Sequence, residues 1–305
     1  MEKEISTSVN VCLACDDNYA KYAGVTVASI LANAKQDDLI NVYILDGGVS
    51  EKSKAEILSL DKIHKCNISF ITINNNDYKD FENIKTHSYI SIPTFYRLKI
   101  ASLFPNLNKI IYLDCDVIVN SAISELFNIN IEDFAAAGVK DLNKKLVRQN
   151  PNYVNAGVML INLDYWRKYN VESELLNFTK NNIDKISLGD QEIINCCLSD
   201  KIKIIDDEWN VQSSNFTNRS SYTHSPKIIH FVSGKKPWHW ASFSYHKKLY
   251  YKYLQLTPWK LSDKEYLHWT RDNDIVSIIL YLKYRPLFFL RPRFWKAVKA
   301  TYFDK

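Results

Sequence analysis

Residues 109–119, KIIYLDCDVIV, are the strongest single feature of this chain, because two aspartates interrupt a run of apolar residues there. The run predicts a buried strand, in which Asp114 and Asp116 are costly to bury unless something compensates their charge. Residues i and i+2 of an extended segment point to the same side, so we expect both carboxylates to converge on one ligand. Their hard oxygen atoms favour a divalent cation such as Mg²⁺ or Mn²⁺ at the carboxyl end of the strand.

Two other interpretations of this motif stay open on these residues alone. Two acids at a strand end can simply reach water, because short motifs often occur by chance. In some phosphatases a strand also ends in Asp-x-Asp, with the first aspartate as nucleophile and the second as acid or base. Such a phosphatase needs a later acidic pair, for which Asp206 and Asp207 are candidates.

Strand and helix patterns alternate along the chain before the motif. Strands are predicted for residues 9–15, 41–45 and 67–73, and helices for residues 19–34, from Ser50 to about residue 64, and for residues 93–104. Ser50 is suited to cap its helix, and Pro93 stands in the first turn of the next one. The β-α-β-α-β order implies parallel strands of a doubly wound α/β sheet.

After the motif the alternation weakens, and strands and helices mix. Strands are predicted for residues 135–139, 154–163, 201–205 and 228–232, and helices for residues 171–181 and 190–198. We therefore expect a Rossmann-like mixed sheet. We place a boundary near residue 257, between a domain of residues 1–257 and a helical tail of residues 258–305.

The composition fits a folded protein and gives no reason to expect a nucleic-acid partner. Of 305 residues, 46% are hydrophobic, which is enough to bury a substantial core. The net charge of +5 is mild, and its excess lies in residues 283–305, where seven basic residues accompany one acid. Residues 1–10 show no secretory signal. No apolar run reaches the about 18 residues that a spanning helix needs.

Five further segments accompany the aspartate motif. They are residues 14–19 (ACDDNY), Arg97, residues 155–163 (NAGVMLINL), residues 188–192 (LGDQE) and residues 230–239 (HFVSGKKPWH). Together with the aspartates they resemble glycosyltransferase family 8, which includes bacterial lipopolysaccharide α-galactosyl- and α-glucosyltransferases and glycogenin. The resemblance covers about residues 9–240 in the family's order, so it is far more specific than any one motif.

This resemblance implies a GT-A fold and a retaining enzyme that moves a hexose from a UDP-sugar to a saccharide acceptor with α-linkage. It implies Mn²⁺ as cofactor, with Mg²⁺ second. We expect galactose ahead of glucose, and a role in bacterial surface-glycan synthesis, such as lipopolysaccharide or capsule, with an acceptor that can be lipid-linked. An alternative is a relative that binds nucleotide-sugars but has lost catalysis. Such a protein no longer needs Asp114, Asp116, His230 and Lys236, and all four are present here.

The resemblance also implies a metal site formed by Asp114, Asp116 and His230. Imidazole beside two carboxylates favours Mn²⁺ over Mg²⁺. Lys236 matches the residue that meets the diphosphate, where its charge would stabilise the leaving UDP. The chain departs from the family at Ser233, which stands where the family usually has glycine, but the spacing from His230 to Lys236 is kept.

Further residues are implied for the donor site. Ala14, Asp16 and Asn18 match positions that bind the uridine and ribose. Arg97, Asn155 and Ala156 match positions that contact the donor sugar. Asp190 and Gln191 match residues near the reacting carbon of that sugar. Gly157 is expected to allow close backbone approach. Several of these residues also have a purely structural interpretation. Asp17, and less so Asp16, can cap the next helix. Arg97 can be a solvated charge on a helix, and Asp190 can be an ordinary acid in the first turn of a helix.

Retention ordinarily calls for a covalent intermediate on a carboxylate. The nearest matched side chain, Gln191, is a poor nucleophile. We therefore expect attack from the face that the leaving group occupies, with Gln191, Asp190 and Lys236 as the catalytic residues. The leaving phosphate oxygen would accept the proton of the acceptor.

The tail combines basic and aromatic residues over residues 274–303. This pattern predicts an interfacial amphipathic helix, broken by Pro286 and Pro292, on an anionic membrane surface. A helix pair packed on the domain, with a solvated basic face, is the alternative. We expect a cytoplasmic protein, peripheral on the inner face of the cell membrane.

Overall fold

The computed structural model describes residues 8–74, 76, 78–79, 81, 84, 92–213, 226–232, 234, 236–239, 242, 244, 246–267, 286–290, 292 and 295. Its strands are β1 (Ser8–Cys15), β2 (Leu39–Asp46), β3 (Cys66–Thr72), β4 (Lys109–Leu113), β5 (Val117–Val119), β6 (Ala136–Lys140), β7 (Val154–Asn162), β8 (Ile202–Ile204), β9 (Val211–Gln212) and β10 (Ile228–His230).

The α-helices in these residues are α1 (Asp17–Ala32), α2 (Glu51–Leu58), α3 (Ile100–Leu103), α4 (Ile123–Phe127), α5 (Lys144–Gln149), α6 (Leu163–Lys168), α7 (Val171–Asn182), α8 (Asp190–Leu198), α9 (Lys247–Leu254) and α10 (Asp263–Leu267). Short 3₁₀ helices cover Ser59–Lys62, Ile92–Lys99, Ser199–Lys201, Asp207–Asn210 and Pro286–Leu290.

The main sheet is mixed, as predicted, and its described strands follow the order β3-β2-β1-β4-β7-β6-β8. The first four strands in this order run parallel, and β7 runs antiparallel to both β4 and β6. The carboxyl ends of β1, β4 and β6 therefore meet the amino end of β7 at one edge. A smaller sheet, β5-β10-β9, continues from that edge.

Buried apolar side chains on both faces explain why the central strands form. Seven of the eight residues from Val154 to Ile161 are apolar or glycine, and all eight are buried. Helix α1 covers one face of the sheet with ten buried residues, which are Ala20 and the continuous run Ala23–Leu31. Asp16 caps this helix by accepting a hydrogen bond from Tyr19 N, and Ser50 caps α2 as predicted.

The aspartate motif does not lie within a strand, so the prediction of one continuous strand over residues 109–119 is wrong. Strand β4 ends at Leu113 and β5 begins at Val117, in the other sheet. Residues 114–116 form the turn between them, fixed by backbone hydrogen bonds from Asp114 N to Gly157 O (2.8 Å) and from Phe231 N to Asp116 O (2.9 Å). The carboxylates converge because of this turn, not because of strand alternation.

The helix predicted for residues 93–104 is mostly 3₁₀ helix, and only Ile100–Leu103 is α-helical. Arg97 Nε donates to the carbonyl of Thr94 at 3.0 Å, so this side chain turns inward instead of reaching solvent. Helix α9, which we did not predict, packs Tyr250 and Leu254 into an apolar cluster with Val25 of α1.

Most of the predicted tail helix lies outside the described residues, and the boundary near residue 257 stays a prediction. Of the tail residues that are described, Leu287, Leu290 and Trp295 are exposed. No helix within the described part of the chain has the length and apolar character needed to cross a membrane.

Candidate active site

A cleft of about 270 Å³ lies at the edge where β1, β4 and β7 meet. The predicted residues that line it are Ala14, Asp16, Arg97, Asp114, Asp116, Asn155, Ala156, Asp190, Gln191, His230 and Lys236. Asn18 does not line it, but its amide donates to Asp16 Oδ2 at 3.3 Å. Sequence motifs far apart along the chain therefore converge on one site.

Asp114, Asp116 and His230 each bring one ligand atom into a group that spans no more than 4.8 Å. His230 Nε2 lies 3.2 Å from Asp116 Oδ1 and 3.7 Å from Asp114 Oδ2. Asp116 Oδ1 is buried and has no hydrogen-bond partner among the described residues. Two carboxylates and an imidazole with an unpartnered buried oxygen fit a divalent cation.

Gly157 of β7 lies directly against this cluster. A Cβ atom there would stand 2.6 Å from Asp114 Oδ2 and would overlap the His230 ring. Only a residue without a side chain leaves room for both ligands, which agrees with the close backbone approach expected from the sequence.

Lys236 lies on the other side of Asp116. Its Nζ forms an ion pair with Asp116 Oδ2 and donates to Phe231 O at 2.7 Å. Burial favours the neutral form of Asp116, but the positive charge of Lys236 and its hydrogen bond outweigh burial and hold the pKa of Asp116 well below its usual range. The carboxylate is therefore charged and ready to bind a cation.

Arg97 is buried, with 2% of its surface exposed, so it is not a solvated helix charge. Its Nη2 lies 2.6 Å from Asp114 Oδ1, and its Nε lies 3.0 Å from Asp190 Oδ2. Its Nη1 donates to Ala156 O at 2.6 Å, and the guanidinium stacks over the Tyr112 ring at 3.9 Å. Arg97 thus holds two carboxylates of the cleft in place.

The match to glycosyl transferase family 8 covers residues 10–241 of this chain. The chain belongs to glycosyl transferase family 8. General stress protein A of Bacillus subtilis (strain 168) is 28% identical over 273 residues, which is 82% of this chain and 94% of that protein. Lipopolysaccharide 1,2-glucosyltransferase of Escherichia coli is 27% identical over 277 residues, 82% of this chain and 79% of that protein.

Among solved structures, the galactosyltransferase LgtC in complex with donor and acceptor sugar analogues matches with a TM-score of 0.72 at 25% identity. The match covers 84% of this chain and 98% of that chain. The GT-A fold and a glycosyltransferase are therefore confirmed. The phosphatase interpretation is wrong, and among the described residues that line the cleft neither Asp206 nor Asp207 occurs.

The residue that caps α1 in this family 8 chain is not the one favoured by the sequence. Asp16, not Asp17, is the helix cap, whereas Asp17 Oδ1 accepts hydrogen bonds from Ser50 N (3.0 Å) and Ser50 Oγ (2.8 Å). Asp17 thus ties the start of α1 to the start of α2. Asp16 still lines the cleft, so its capping role and a ligand role are compatible.

Gln191 is held at both ends of its amide. Its Oε1 accepts hydrogen bonds from Ala156 N (3.2 Å) and from Asn155 Nδ2 (3.1 Å). Its Nε2 donates to Asp141 Oδ2 at 3.1 Å. The sequence analysis did not predict Asp141, although an acid two residues after the predicted strand 135–139 was a signal for this edge of the sheet.

Asp190 begins α8 and is buried among the residues of the cleft. Burial raises the pKa of its carboxyl to about 6, although the charge of Arg97 opposes the change. Asp114 adds to the rise through charge repulsion.

This raised pKa predicts how Asp190→Asn changes the pH dependence of stability. The folded state binds the Asp190 proton more tightly than the unfolded state, so the wild type loses stability as the pH rises from about 4 to about 6. In EDTA, we expect the free energy of unfolding of the variant to gain on the wild type by up to about 3 kcal/mol across that window. A constant difference in urea unfolding between pH 4 and pH 7 would contradict this.

Proposed function

We propose that this chain transfers a hexose from UDP-hexose to a saccharide acceptor with retention of configuration. The observation that carries the proposal is the convergence of Asp114, Asp116 and His230 beside Lys236 in one cleft. Galactose is the first candidate, because the matched LgtC is a galactosyltransferase. Glucose is second, because the relative from Escherichia coli is a glucosyltransferase.

We propose that Asp114, Asp116 and His230 hold Mn²⁺, since imidazole among the ligands favours Mn²⁺ over Mg²⁺. When bound, the ion would act as a Lewis acid on the diphosphate oxygens of the donor. Lys236 can add positive charge to the departing UDP once a ligand competes for its contact with Asp116. Asp16 and the backbone of Ala14, at the end of β1, offer acceptors to the nucleoside.

Retention is explained by attack of the acceptor oxygen on C1 of the hexose from the face that UDP leaves. Four of the described acids line the cleft. Asp190 is paired with Arg97, Asp114 and Asp116 face the proposed metal, and Asp16 caps α1. Gln191 Oε1 already accepts two hydrogen bonds, so it is poorly placed to act as a nucleophile. The C1–O bond breaks with its electron pair on the phosphate oxygen. The acceptor oxygen bonds to C1, and its proton passes to that phosphate.

We propose an acceptor in bacterial surface-glycan synthesis, and attachment of residues 258–305 to the cytoplasmic face of the membrane. The match to a lipopolysaccharide 1,2-glucosyltransferase supports such an acceptor. The exposed Leu287, Leu290 and Trp295, which neighbour the basic residues of the tail in sequence, support binding to anionic lipid.

Release of UDP from a panel of UDP-sugars tests the donor. We expect hydrolysis of UDP-galactose, or of UDP-glucose, in Mn²⁺ and none in EDTA, and an α-linked product when a saccharide acceptor is added. A β-linked product would reject retention. No release from any UDP-hexose, with or without acceptor, would reject the donor class.

A further inference from the structure

The amide of Asn155 has only one orientation that satisfies its neighbours. Asp141 Oδ2, which lies 3.3 Å from Asn155 Nδ2, is a carboxylate oxygen and can only accept. Gly157 N, which lies 3.2 Å from Asn155 Oδ1, is a backbone amide and can only donate. The nitrogen of Asn155 must therefore face Asp141, and its oxygen must face Gly157.

This orientation decides which ring nitrogen of His230 carries the proton. Asn155 Oδ1 lies 3.0 Å from His230 Nδ1. Because this oxygen cannot donate, His230 must donate from Nδ1–H. In the neutral imidazole, Nε2 is then free of hydrogen, with its lone pair directed to the carboxylates of Asp114 and Asp116.

Asn210 fixes the same oxygen from the other side. Its Nδ2 donates to Asn155 Oδ1 at 3.0 Å, and the side chain is fully buried in the 3₁₀ helix Asp207–Asn210. Its own Oδ1 has no hydrogen-bond partner among the described residues. A buried unpaired carbonyl oxygen costs about 1–3 kcal/mol, so stability alone does not explain an asparagine here.

We propose that Asn210 is a positioning residue, which acts through Asn155 to hold His230 as the Nδ1–H tautomer with Nε2 ready to bind a metal. Asn210 holds the Asn155 oxygen against His230, and Asp141 holds the Asn155 nitrogen away from it. Loss of the Asn210 donor removes one of the hydrogen bonds that hold the Asn155 oxygen in place, beside that from Gly157 N, so the other orientation of the amide becomes populated. The inference rests on the proposed metal site, although the tautomer itself can be measured without metal.

The test uses full-length, metal-free protein labelled with ¹⁵N-histidine, at about pH 9, where an ordinary imidazole is neutral. The His230 signals are those absent from the His230→Gln variant. We expect Nδ1–H in the wild type and a mixture of tautomers in Asn210→Ala. Binding of Mn²⁺ alone, followed by electron paramagnetic resonance, should weaken about 10- to 100-fold in this variant.

Two further variants keep the test decisive. Asn210→Asp has nearly the same size, so it preserves packing while it removes the donor, and it should shift the tautomer likewise. Asn162→Ala, at the far end of β7, removes an asparagine with hydrogen bonds to Ile131 O and from Tyr165 N, and it should leave the His230 signals and Mn²⁺ affinity unchanged.

Nε2–H in the wild type would overturn the inference, as would an unchanged tautomer in both Asn210 variants. If the wild type fails to bind Mn²⁺, the proposed metal site is rejected, while the tautomer signals still decide the role of Asn210.

Discussion

Replacement of Gly157 by alanine is expected to lower Mn²⁺ affinity about 100-fold, and glycosyl transfer with it. The added Cβ would enter the space of Asp114 Oδ2 and the His230 ring, both of which belong to the proposed metal site. Gly157 is not among the described glycines with positive φ, so alanine is compatible with the backbone. The loss therefore comes from displacement of the ligands.

Gly138→Ala is the matched control for this effect. It adds the same methyl group to the neighbouring strand β6, where the nearest atom is Val154 Cβ at 3.3 Å. Mn²⁺ titration should give the wild-type affinity for this variant. Wild-type Mn²⁺ affinity in Gly157→Ala would place the metal elsewhere.

Replacement of Arg97 by methionine is expected to destabilise the protein by about 3–5 kcal/mol, because the change leaves the buried carboxylate of Asp190 without its partner. Asp190 has only 6% of its side chain exposed and depends on this guanidinium for charge compensation. Urea unfolding in EDTA at about pH 8, where Asp190 is ionised, measures the loss without a contribution from metal.

The double variant Arg97→Met, Asp190→Asn should recover part of this loss, since it removes one of the unpaired charges. Arg148→Met, on the exposed surface of α5, should leave the free energy of unfolding within about 0.5 kcal/mol of the wild type. If Arg97→Met is no more destabilising than Arg148→Met, the ion-pair account of Arg97 is wrong.

Local sequence patterns and motifs predicted most strands and most of the named residues that line the cleft. Continuous apolar runs mark β1, β4 and β7 because both faces of these strands are covered. The predicted metal ligands do come together, because the turn after β4 carries Asp114 and Asp116 to the start of β5, where His230 at the end of β10 pairs opposite Val117.

Long-range contacts explain what the sequence did not reveal. The turn at Asp114–Asp116 depends on the pairing of β5 with β10, more than a hundred residues away. The burial of Arg97 depends on acids from two other segments, since its own neighbours in sequence read as an ordinary helix. Asn210 belongs to no motif, and only the folded chain shows that it contacts Asn155.

The most direct test of a metal-dependent UDP site is calorimetric titration of UDP into the wild type, in Mn²⁺ and then in EDTA. We expect binding in Mn²⁺ that is lost in EDTA, and that is also lost in Mn²⁺ when Asp116 is replaced by asparagine. Binding of equal affinity in all three titrations, or no binding in any, would contradict a metal-dependent UDP site at Asp114, Asp116 and His230.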